Sequence, residues 1–231
     1  MHGQVEFGKR LSAAAELVRP GAVFADIGTD HASLPIYLAS LGRIKHAYAC
    51  DVAEKPVAVA ERNIAESGFS HLIDVRLTDG FCGLEGLGIT DAALCGMGAE
   101  LMAQLISAES AEFIKRDRVR LILQPMSRTA FLRSFLAENG FSAVEELIVR
   151  DMGRQYEIIC AEYTGEPYEL NPVEALLGRK NIARGGEELA VLCRRRRLHL
   201  QNVLGGQTEE EQKTTEGLIS ELEKIENEVL K

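Results

Sequence analysis

The chain has 231 residues, of which 46% are apolar and 26% are charged, and its formal net charge is −9. This composition is typical of a globular protein with one full domain and a smaller appendage. No apolar run approaches the roughly 20 residues that a membrane span needs, and the first residues lack the plan of a signal peptide. We therefore expect a cytoplasmic protein that makes no membrane contact. Any contact with nucleic acid must depend on local basic patches.

Five cysteines are widely spaced and form no Cys-x-x-Cys pair. This pattern argues against a disulfide framework and against a zinc site. Cys50, Cys95 and Cys160 lie in apolar runs, as small buried side chains do. We therefore expect no metal ion.

Strand-like and helix-like segments alternate along the first two thirds of the chain. Apolar residues at helical spacing predict a first helix over 5–18, which Arg19-Pro20-Gly21 ends. Strands are then predicted over 22–27, 46–50, 72–77, 91–95 and 119–124, and helices over 33–41, 54–67, 99–108 and 127–138. This alternation indicates a doubly wound parallel α/β sheet.

The pattern changes near residue 140. Residues 141–150 and 155–163 are predicted to form two strands joined by a turn. An antiparallel hairpin at the end of a parallel sheet is typical of seven-stranded class I methyltransferases, and plain dinucleotide-binding folds usually lack it.

Strand signals end at Pro172. Residues 172–204 and 208–230 are predicted helices joined by a turn over 205–208, with Thr208 and Glu211 forming a capping box. Apolar residues of the second helix follow coiled-coil spacing: Leu218, Leu222, Ile225 and Val229. We predict an α/β domain over 1–165 and an antiparallel helical coiled-coil domain over 166–231.

The turn after the first strand carries the clearest functional signal. Its residues are Asp26, Ile27, Gly28, Thr29, Asp30 and His31. Gly28 has no Cβ and lets the backbone come close to a ligand, and such turns lie at the carboxyl edge of parallel sheets, where ligands bind. Because the turn offers carboxylates and a histidine but no lysine for a phosphate, it favours a cationic or hydroxyl-rich ligand such as S-adenosylmethionine.

Acidic residues also end the next two strands. Asp51, followed by Val52, ends the second strand, and Asp79 precedes Gly80 after the third. A carboxylate at the position of Asp51 accepts hydrogen bonds from ribose hydroxyls. A carboxylate at the position of Asp79 can hold an adenine amino group. A single acid here could equally cap a helix, but three at successive strand ends favour a nucleoside ligand.

The ends of the fourth and fifth strands face the same edge. The Gly96-Met97-Gly98 segment lets backbone and a soft apolar side chain approach a substrate, or it is a plain tight turn. Gln124, before Pro125, places a neutral amide there, which either reads a base edge or caps the next helix.

Together these segments resemble the bacterial tRNA (adenine-22-N1)-methyltransferase family. The resemblance rests on residues 23–38, which include the Asp26 turn, and on Gly96-Met97-Gly98, Leu121-Ile122-Leu123-Gln124-Pro125, Tyr156-Glu157-Ile158-Ile159 and Leu176-Leu177-Gly178. It implies a Rossmann-like methyltransferase sheet with a C-terminal coiled coil, S-adenosylmethionine as cofactor and tRNA as partner.

The resemblance also implies roles for the residues at the strand ends. Cofactor binding would fall to Asp26, Gly28, Thr29, Asp30, His31, Asp51, Val52, Asp79, Gly80 and Gly96. Catalysis would involve Asp30, Gly96, Met97 and Gln124. His31 either orients Asp30, contacts the methionine part of the cofactor, or is merely packed. The sequence departs from the family at Ala99, where a glycine is usual, and at Met126, where an asparagine is usual, so the target position or activity could differ.

Basic residues supply the candidate contacts to RNA. They are Arg128, Arg133 and Arg154 near the catalytic edge, and Arg194, Arg195, Arg196 and Arg197 in the first tail helix. An equally good interpretation of the tail arginines is a salt-bridged helix paired with the acidic residues Glu209, Glu210, Glu211, Glu216, Glu221 and Glu223.

Three other functions remain open. A small-molecule methyltransferase fits the acidic total charge but leaves the arginine cluster and the coiled coil unused. A non-catalytic nucleotide- or RNA-binding module fits the substitution at Met126. An NAD-dependent dehydrogenase is disfavoured, because no Gly-x-Gly-x-x-Gly follows the first strand. We expect a monomer or a weak homodimer.

Overall fold

A computed structural model describes residues 7–230 and shows one seven-stranded sheet. Its strands are β1 (Ala22–Ile27), β2 (Ile44–Asp51), β3 (Ile73–Leu77), β4 (Asp91–Met97), β5 (Arg120–Pro125), β6 (Phe141–Asp151) and β7 (Arg154–Tyr163). Their order is β3-β2-β1-β4-β5-β7-β6. The first five strands run parallel, and β7 is antiparallel to both β5 and β6. The predicted fold class is confirmed.

Ten α-helices lie within the described residues. They are α1 (Lys9–Leu17), α2 (Ser33–Ser40), α3 (Glu54–Ser67), α4 (Ala99–Ser107), α5 (Glu112–Arg116), α6 (Thr129–Glu138), α7 (Pro172–Leu177), α8 (Arg179–Arg184), α9 (Glu187–Val203) and α10 (Glu209–Val229). Short 3₁₀ helices occupy Glu109–Ala111 and Leu204–Gly206. Sequence reasoning missed α5, which is too short for helical periodicity to reveal. Of the predicted helix over 5–18, residues 5 and 6 lie outside the described residues.

Both faces of the sheet are covered, which explains the uninterrupted apolar strands. Along β1, Phe24 packs into the core beneath α1 and α2, whereas Ala25 and Ile27 pack into the core on the other face. The pairing of strands in parallel register brings the carboxyl ends of β1 to β5 to the same edge.

The predicted helix over 172–204 is three helices, because glycines break it twice. Gly178, between α7 and α8, has φ +87°, and a Cβ there would lie 2.2 Å from Glu146 Oε1. Gly185 and Gly186 lie between α8 and α9 with φ of 68° and 90°. Side chains larger than hydrogen therefore fit poorly at Gly178, which ties the tail closely to β6.

The last two helices pack against each other as predicted. Leu222 of the proposed seam is fully buried, and Leu218, Ile225 and Val229 pack partly buried around it. The capping box of Thr208 and Glu211 is present at the start of α10.

Arg133 is not on a surface where it could meet a phosphate, so that expectation is wrong. Its side chain is only 3% exposed, because α6 turns it inward. Nε donates to Glu146 Oε1 at 2.6 Å, and Nη2 donates to Glu157 Oε2 at 2.9 Å. Nη1 donates to the carbonyl oxygens of Ala175 and Leu176 at 3.1 and 3.3 Å. The guanidinium therefore ties β6, β7 and α7 together.

The carboxylates keep this buried guanidinium charged. Burial by itself lowers the pKa of Arg133, but Glu157 and Glu146 outweigh it and raise the pKa above its ordinary value. Removing one member of a buried network leaves its partners charged and unpaired, which is strongly destabilising.

Arg133→Ala should therefore lower the free energy of unfolding by about 3–5 kcal/mol, measured by urea denaturation at pH 7. Arg62→Ala is the matched control, since Arg62 lies on the exposed face of α3 and pairs with exposed Glu66. Equal midpoints for Arg133→Ala and the wild type would contradict the importance of this network.

Candidate functional site

Asp26 lies buried near the end of β1, with 7% of its surface exposed. Burial raises its pKa to about 6, and the Asp51 carboxylate adds to the rise. The Thr29 hydroxyl opposes this rise in pKa, because a hydrogen bond that it donates favours the carboxylate. In this structure the hydroxyl does not complete that hydrogen bond with Asp26. Thr29 Oγ1 is a buried oxygen without a partner among residues 7–230. The turn thus holds a buried carboxyl beside a hydroxyl that can hydrogen-bond to a ligand.

Gly28 gives this turn a backbone conformation and a close approach to Met97 that other residues adopt poorly. It is exposed with φ +77°, and an added Cβ would lie 2.8 Å from Met97 Cε. The amides of Gly28 and Thr29 both donate to the Cys50 carbonyl oxygen, at 2.9 and 2.8 Å. The backbone of the turn is therefore fixed to β2 and lies close to Met97.

Asp30 and His31 lie at the mouth of the turn. His31 Nε2 is 3.1 Å from Asp30 Oδ2, and both side chains are more than half exposed. The His31 carbonyl oxygen accepts a hydrogen bond from Asn63 Nδ2 at 3.0 Å. The interpretation that His31 orients Asp30 agrees with this contact, and His31 is not a packed core histidine.

The ends of β2 and β3 continue the row of carboxylates. Asp51 Oδ1 accepts a hydrogen bond from the Ala53 amide at 2.8 Å. Val52 beside it is an apolar side chain that is 68% exposed. Asp79 is exposed, while Gly80 after it is buried with φ +55°, where a Cβ would lie 2.7 Å from Leu105 Cδ2. The predicted acids therefore line one edge, next to exposed apolar surface.

The end of β4 joins this edge to the end of β5. Gly96 has φ +81°, and the pairing of β4 with β5 is irregular between Cys95 and Met97. The Met126 amide donates to the Met97 carbonyl oxygen at 2.9 Å. The Gly96-Met97-Gly98 turn and the segment around Met126 are therefore joined into one wall.

Gln124 neither presents a free amide to a base nor caps α6, so both expectations are wrong for this structure. It is fully buried. Its Oε1 accepts a hydrogen bond from Arg10 Nη1, and its Nε2 donates to the Pro125 carbonyl oxygen at 3.0 Å. Arg10 is a residue that sequence reasoning missed, because helical spacing does not indicate which strand end a side chain reaches.

A cavity of about 490 Å³ lies beside this wall, between the end of β5, the β6–β7 hairpin and α9. Five arginines line it: Arg128, Arg150, Arg154, Arg195 and Arg196. Tyr156, Glu157, Pro125 and Met126 also line it, and Met126 is 51% exposed. The cavity is thus strongly basic, although the chain as a whole is acidic.

The four tail arginines all form ion pairs, but not with the acids that we expected. Arg194 and Arg197 pair with Glu226 of α10 at 2.8 and 3.1 Å. Arg195 and Arg196 pair with Glu157 of β7 at 3.5 and 2.7 Å. Burial lowers the pKa of Arg196, although Glu157 opposes this. The run therefore has two faces, one toward the last helix and one toward the sheet.

Neither the cysteines nor any cluster of metal-ligating side chains adds a reactive group to this site over residues 7–230. Burial raises the pKa of the Cys50, Cys95 and Cys160 thiols to about 12, so they stay protonated at neutral pH. Within residues 7–230 there is no cluster of His, Cys, Asp and Glu side chains suited to a metal ion. Over the same residues, no helix combines the length and apolar character that crossing a bilayer requires.

The buried Asp26 makes stability depend on pH. Its pKa is higher in the folded chain than in the unfolded chain, so the folded state binds the proton more tightly and loses stability as pH rises from about 4 to about 6. Since each pKa unit corresponds to about 1.4 kcal/mol, the loss is on the order of 3 kcal/mol.

Asp26→Asn should therefore be more stable than the wild type at pH 7.5 and close to it at pH 3.5. Urea denaturation of the ligand-free protein across this range measures the difference. Asp30→Asn is the matched control, because Asp30 is exposed and carries no burial cost. A constant difference between wild type and Asp26→Asn at every pH would contradict the assignment.

Comparison with known proteins identifies the fold and the family. The sequence profile of the methyltransferase domain family matches residues 7–159. The tRNA (adenine(22)-N(1))-methyltransferase of Bacillus subtilis is 34% identical over 160 residues, which span 69% of this chain and 66% of that protein. A putative tRNA methyltransferase of Mycoplasma genitalium is 30% identical over 179 residues, 75% of this chain and 78% of that protein.

Solved structures agree over nearly the whole chain, including the helical tail. A putative tRNA (m1A22) methyltransferase of Streptococcus pneumoniae is 30% identical with a TM-score of 0.82, and the match covers 97% of this chain and 100% of that one. A structure of the same protein in complex with S-adenosyl-L-methionine gives a TM-score of 0.81 and covers 94% and 98%. With its seven-stranded sheet, its edge of carboxylates and its paired tail helices, this chain belongs to the bacterial tRNA (adenine(22)-N(1))-methyltransferase family.

Proposed function

We propose that this chain transfers a methyl group from S-adenosylmethionine to N1 of an adenine in tRNA, at the position for which its relatives are named. The observation that carries the proposal is a single edge on which a row of carboxylates adjoins a cavity walled by arginines. The carboxylates suit a cationic nucleoside, and the arginines suit the phosphates of RNA. A small metabolite would need only the first of these features.

The residues of the turn fit the cofactor. Gly28, which has no Cβ, lets the backbone of the turn pass close to Met97, and the Thr29 hydroxyl, which has no partner among residues 7–230, offers a hydrogen bond beside it. The half-buried Asp51 is placed for ribose hydroxyls, and exposed Val52 offers an apolar surface for a base. We assign cofactor binding to Asp26, Gly28, Thr29, Asp30, His31, Asp51, Val52, Asp79, Gly80 and Gly96. When bound, the cofactor supplies an electrophilic sulfonium methyl group.

The reaction needs placement more than proton transfer. Adenine N1 carries a lone pair at neutral pH, so it attacks the methyl group without a general base. Catalysis then depends on alignment and on stabilising the positive charge that moves onto the base. Asp30, or a carbonyl oxygen of the Gly96-Met97-Gly98 turn, can accept a hydrogen bond from the adenine amino group as that charge develops. Met97 and Met126 supply apolar surface beside it.

The RNA must deliver an unstacked base to this edge, because N1 lies on the pairing edge of adenine. We propose that the phosphates lie against Arg128 and Arg154, with Arg194 and Arg195 extending the surface along α9. These four side chains are exposed. Arg196 and Arg197 are only about one fifth exposed and are occupied by Glu157 and Glu226, so we assign them to tail packing. A cytoplasmic location and a monomer or weak homodimer stay predictions.

The first test is transfer itself. Incubation with labelled S-adenosylmethionine and bulk bacterial tRNA, followed by nucleoside mapping, should give N1-methyladenosine. Label in small metabolites alone would favour a small-molecule methyltransferase, and cofactor binding without transfer would favour a binding module.

Asp26→Ala should abolish cofactor binding in calorimetry while the circular dichroism spectrum stays native, because it removes a carboxyl that we assign to the cofactor and that carries a burial cost in the ligand-free fold. Asp74→Ala is the control, since Asp74 lies on the exposed side of β3, away from this edge. Near-wild-type cofactor affinity in folded Asp26→Ala would refute our placement of the site.

Charge reversal tests the RNA surface. Arg154→Glu should raise the KM for tRNA at least tenfold and reduce the salt dependence of binding, because each lost phosphate contact lowers the slope by about one. Cofactor affinity should not change. Arg62→Glu, an equal change of charge on the far exposed face of α3, should have little effect. Equal effects of both substitutions would indicate general electrostatics and remove Arg154 from the surface.

A further inference from the structure

Arg10, in the first turn of α1, reaches the ends of three strands at the proposed acceptor edge. Its Nη1 donates to Gln124 Oε1 at the end of β5. Its guanidinium carbon lies 5.5 Å from the centroid of the Tyr156 ring of β7. Its backbone amide donates to Asp151 Oδ2 of β6 at 3.2 Å. One residue of the N-terminal helix thus joins β5, β6 and β7 where they approach the cavity.

The contact with Gln124 fixes the orientation of a buried amide. A guanidinium can only donate hydrogen bonds, so it selects the oxygen end of the amide. The Nε2 end is then turned to the Pro125 carbonyl oxygen at 3.0 Å and to Met126 Sδ at 3.6 Å. Because Gln124 is fully buried, no solvent competes for either end.

The fixed amide holds the wall that faces the acceptor. Pro125 and Met126 line the basic cavity. The Met126 amide is bonded to the Met97 carbonyl oxygen, which lies in the turn assigned to the cofactor side. A continuous set of contacts therefore runs from Arg10 through Gln124 and Met126 to Met97.

The Arg10 side chain is not explained by ion pairing. Over the part of the chain that the structure describes, its guanidinium forms no salt bridge with a carboxylate, in contrast to the arginines of the tail. Its partners are a neutral amide and an aromatic face, Gln124 and Tyr156. The planar fork of the guanidinium can donate to the amide while its flat face lies against the ring, which fixes how both neighbours are oriented.

We infer that Arg10 is a positioning residue for methyl transfer, which acts through Gln124 to set the Pro125–Met126 segment against which the acceptor base is aligned. This inference rests on the proposed function for its kinetic consequence. It does not require Arg10 to touch either substrate.

Arg19, just beyond the other end of α1, provides a matched control. Its Nε lies 3.1 Å from Asp91 Oδ2 at the start of β4, at the opposite edge of the sheet. Arg19→Gln and Arg10→Gln remove the same charge and side chain from the same N-terminal segment. Only Arg10→Gln alters the acceptor edge.

The kinetic experiment measures methyl transfer to tRNA at saturating concentrations of both substrates. Arg10→Gln should lower kcat at least tenfold while the cofactor Kd stays within twofold of the wild-type value, and Arg19→Gln should keep kcat within threefold. If Arg10 acts through Gln124, then Arg10→Gln added to Gln124→Ala should lower kcat no more than twofold further. Should Arg10→Gln fail to fold, Arg10→Lys, which lacks the planar fork, should still lower kcat at least threefold.

Hydrogen–deuterium exchange provides a readout that does not depend on activity. Peptides covering 124–131 should exchange faster in Arg10→Gln than in the wild type and at the wild-type rate in Arg19→Gln. If the wild type transfers no methyl group to tRNA, the proposed function fails, yet faster exchange would still support the contact. A wild-type kcat in folded Arg10→Gln, an equal loss of kcat in Arg19→Gln, or unchanged exchange over 124–131 would overturn the inference.

Discussion

The parallel register of β1 to β5 is the constraint on which the candidate site depends. Paired strands of the same direction end side by side, so residues that are distant in sequence come to one edge. Asp26, Asp51 and Asp79 become neighbours in this way, and Asp26 already responds to the charge of Asp51. The site is therefore a property of strand order, because no single loop supplies all of its groups.

The same edge carries a cost. A carboxyl buried as deeply as Asp26 disfavours its own charge, and the fold tolerates it only because other burial in the two cores offsets the penalty. The Thr29 hydroxyl, which has no hydrogen-bond partner within the described part of the chain, is a second unfavourable feature at the same turn. Both are features that a bound ligand can relieve, and unfavourable groups tend to concentrate where proteins bind ligands.

The helical tail is joined to the sheet through charge as well as through apolar packing. Glu157 receives Arg133 from α6 and Arg195 and Arg196 from α9. It thereby links the sheet to the tail at the wall of the basic cavity. An acidic chain can thus present a basic surface, because some of its acidic side chains pair with arginines and the others lie outside this cavity.

Sequence alone determined all seven strands, most of the helices, the strand-end motifs and the family, because apolar periodicity, turn glycines and capping residues act over a few neighbouring positions. The helix at 54–67 and the capping box at Thr208 were predicted as they stand. Tertiary structure alone decided where long side chains point. Arg133 is buried, and the Gln124 amide oxygen accepts a hydrogen bond from Arg10. The tail arginines form ion pairs with Glu226 and Glu157. These outcomes depend on packing between elements far apart in the chain, and a local sequence pattern carries no information about that packing.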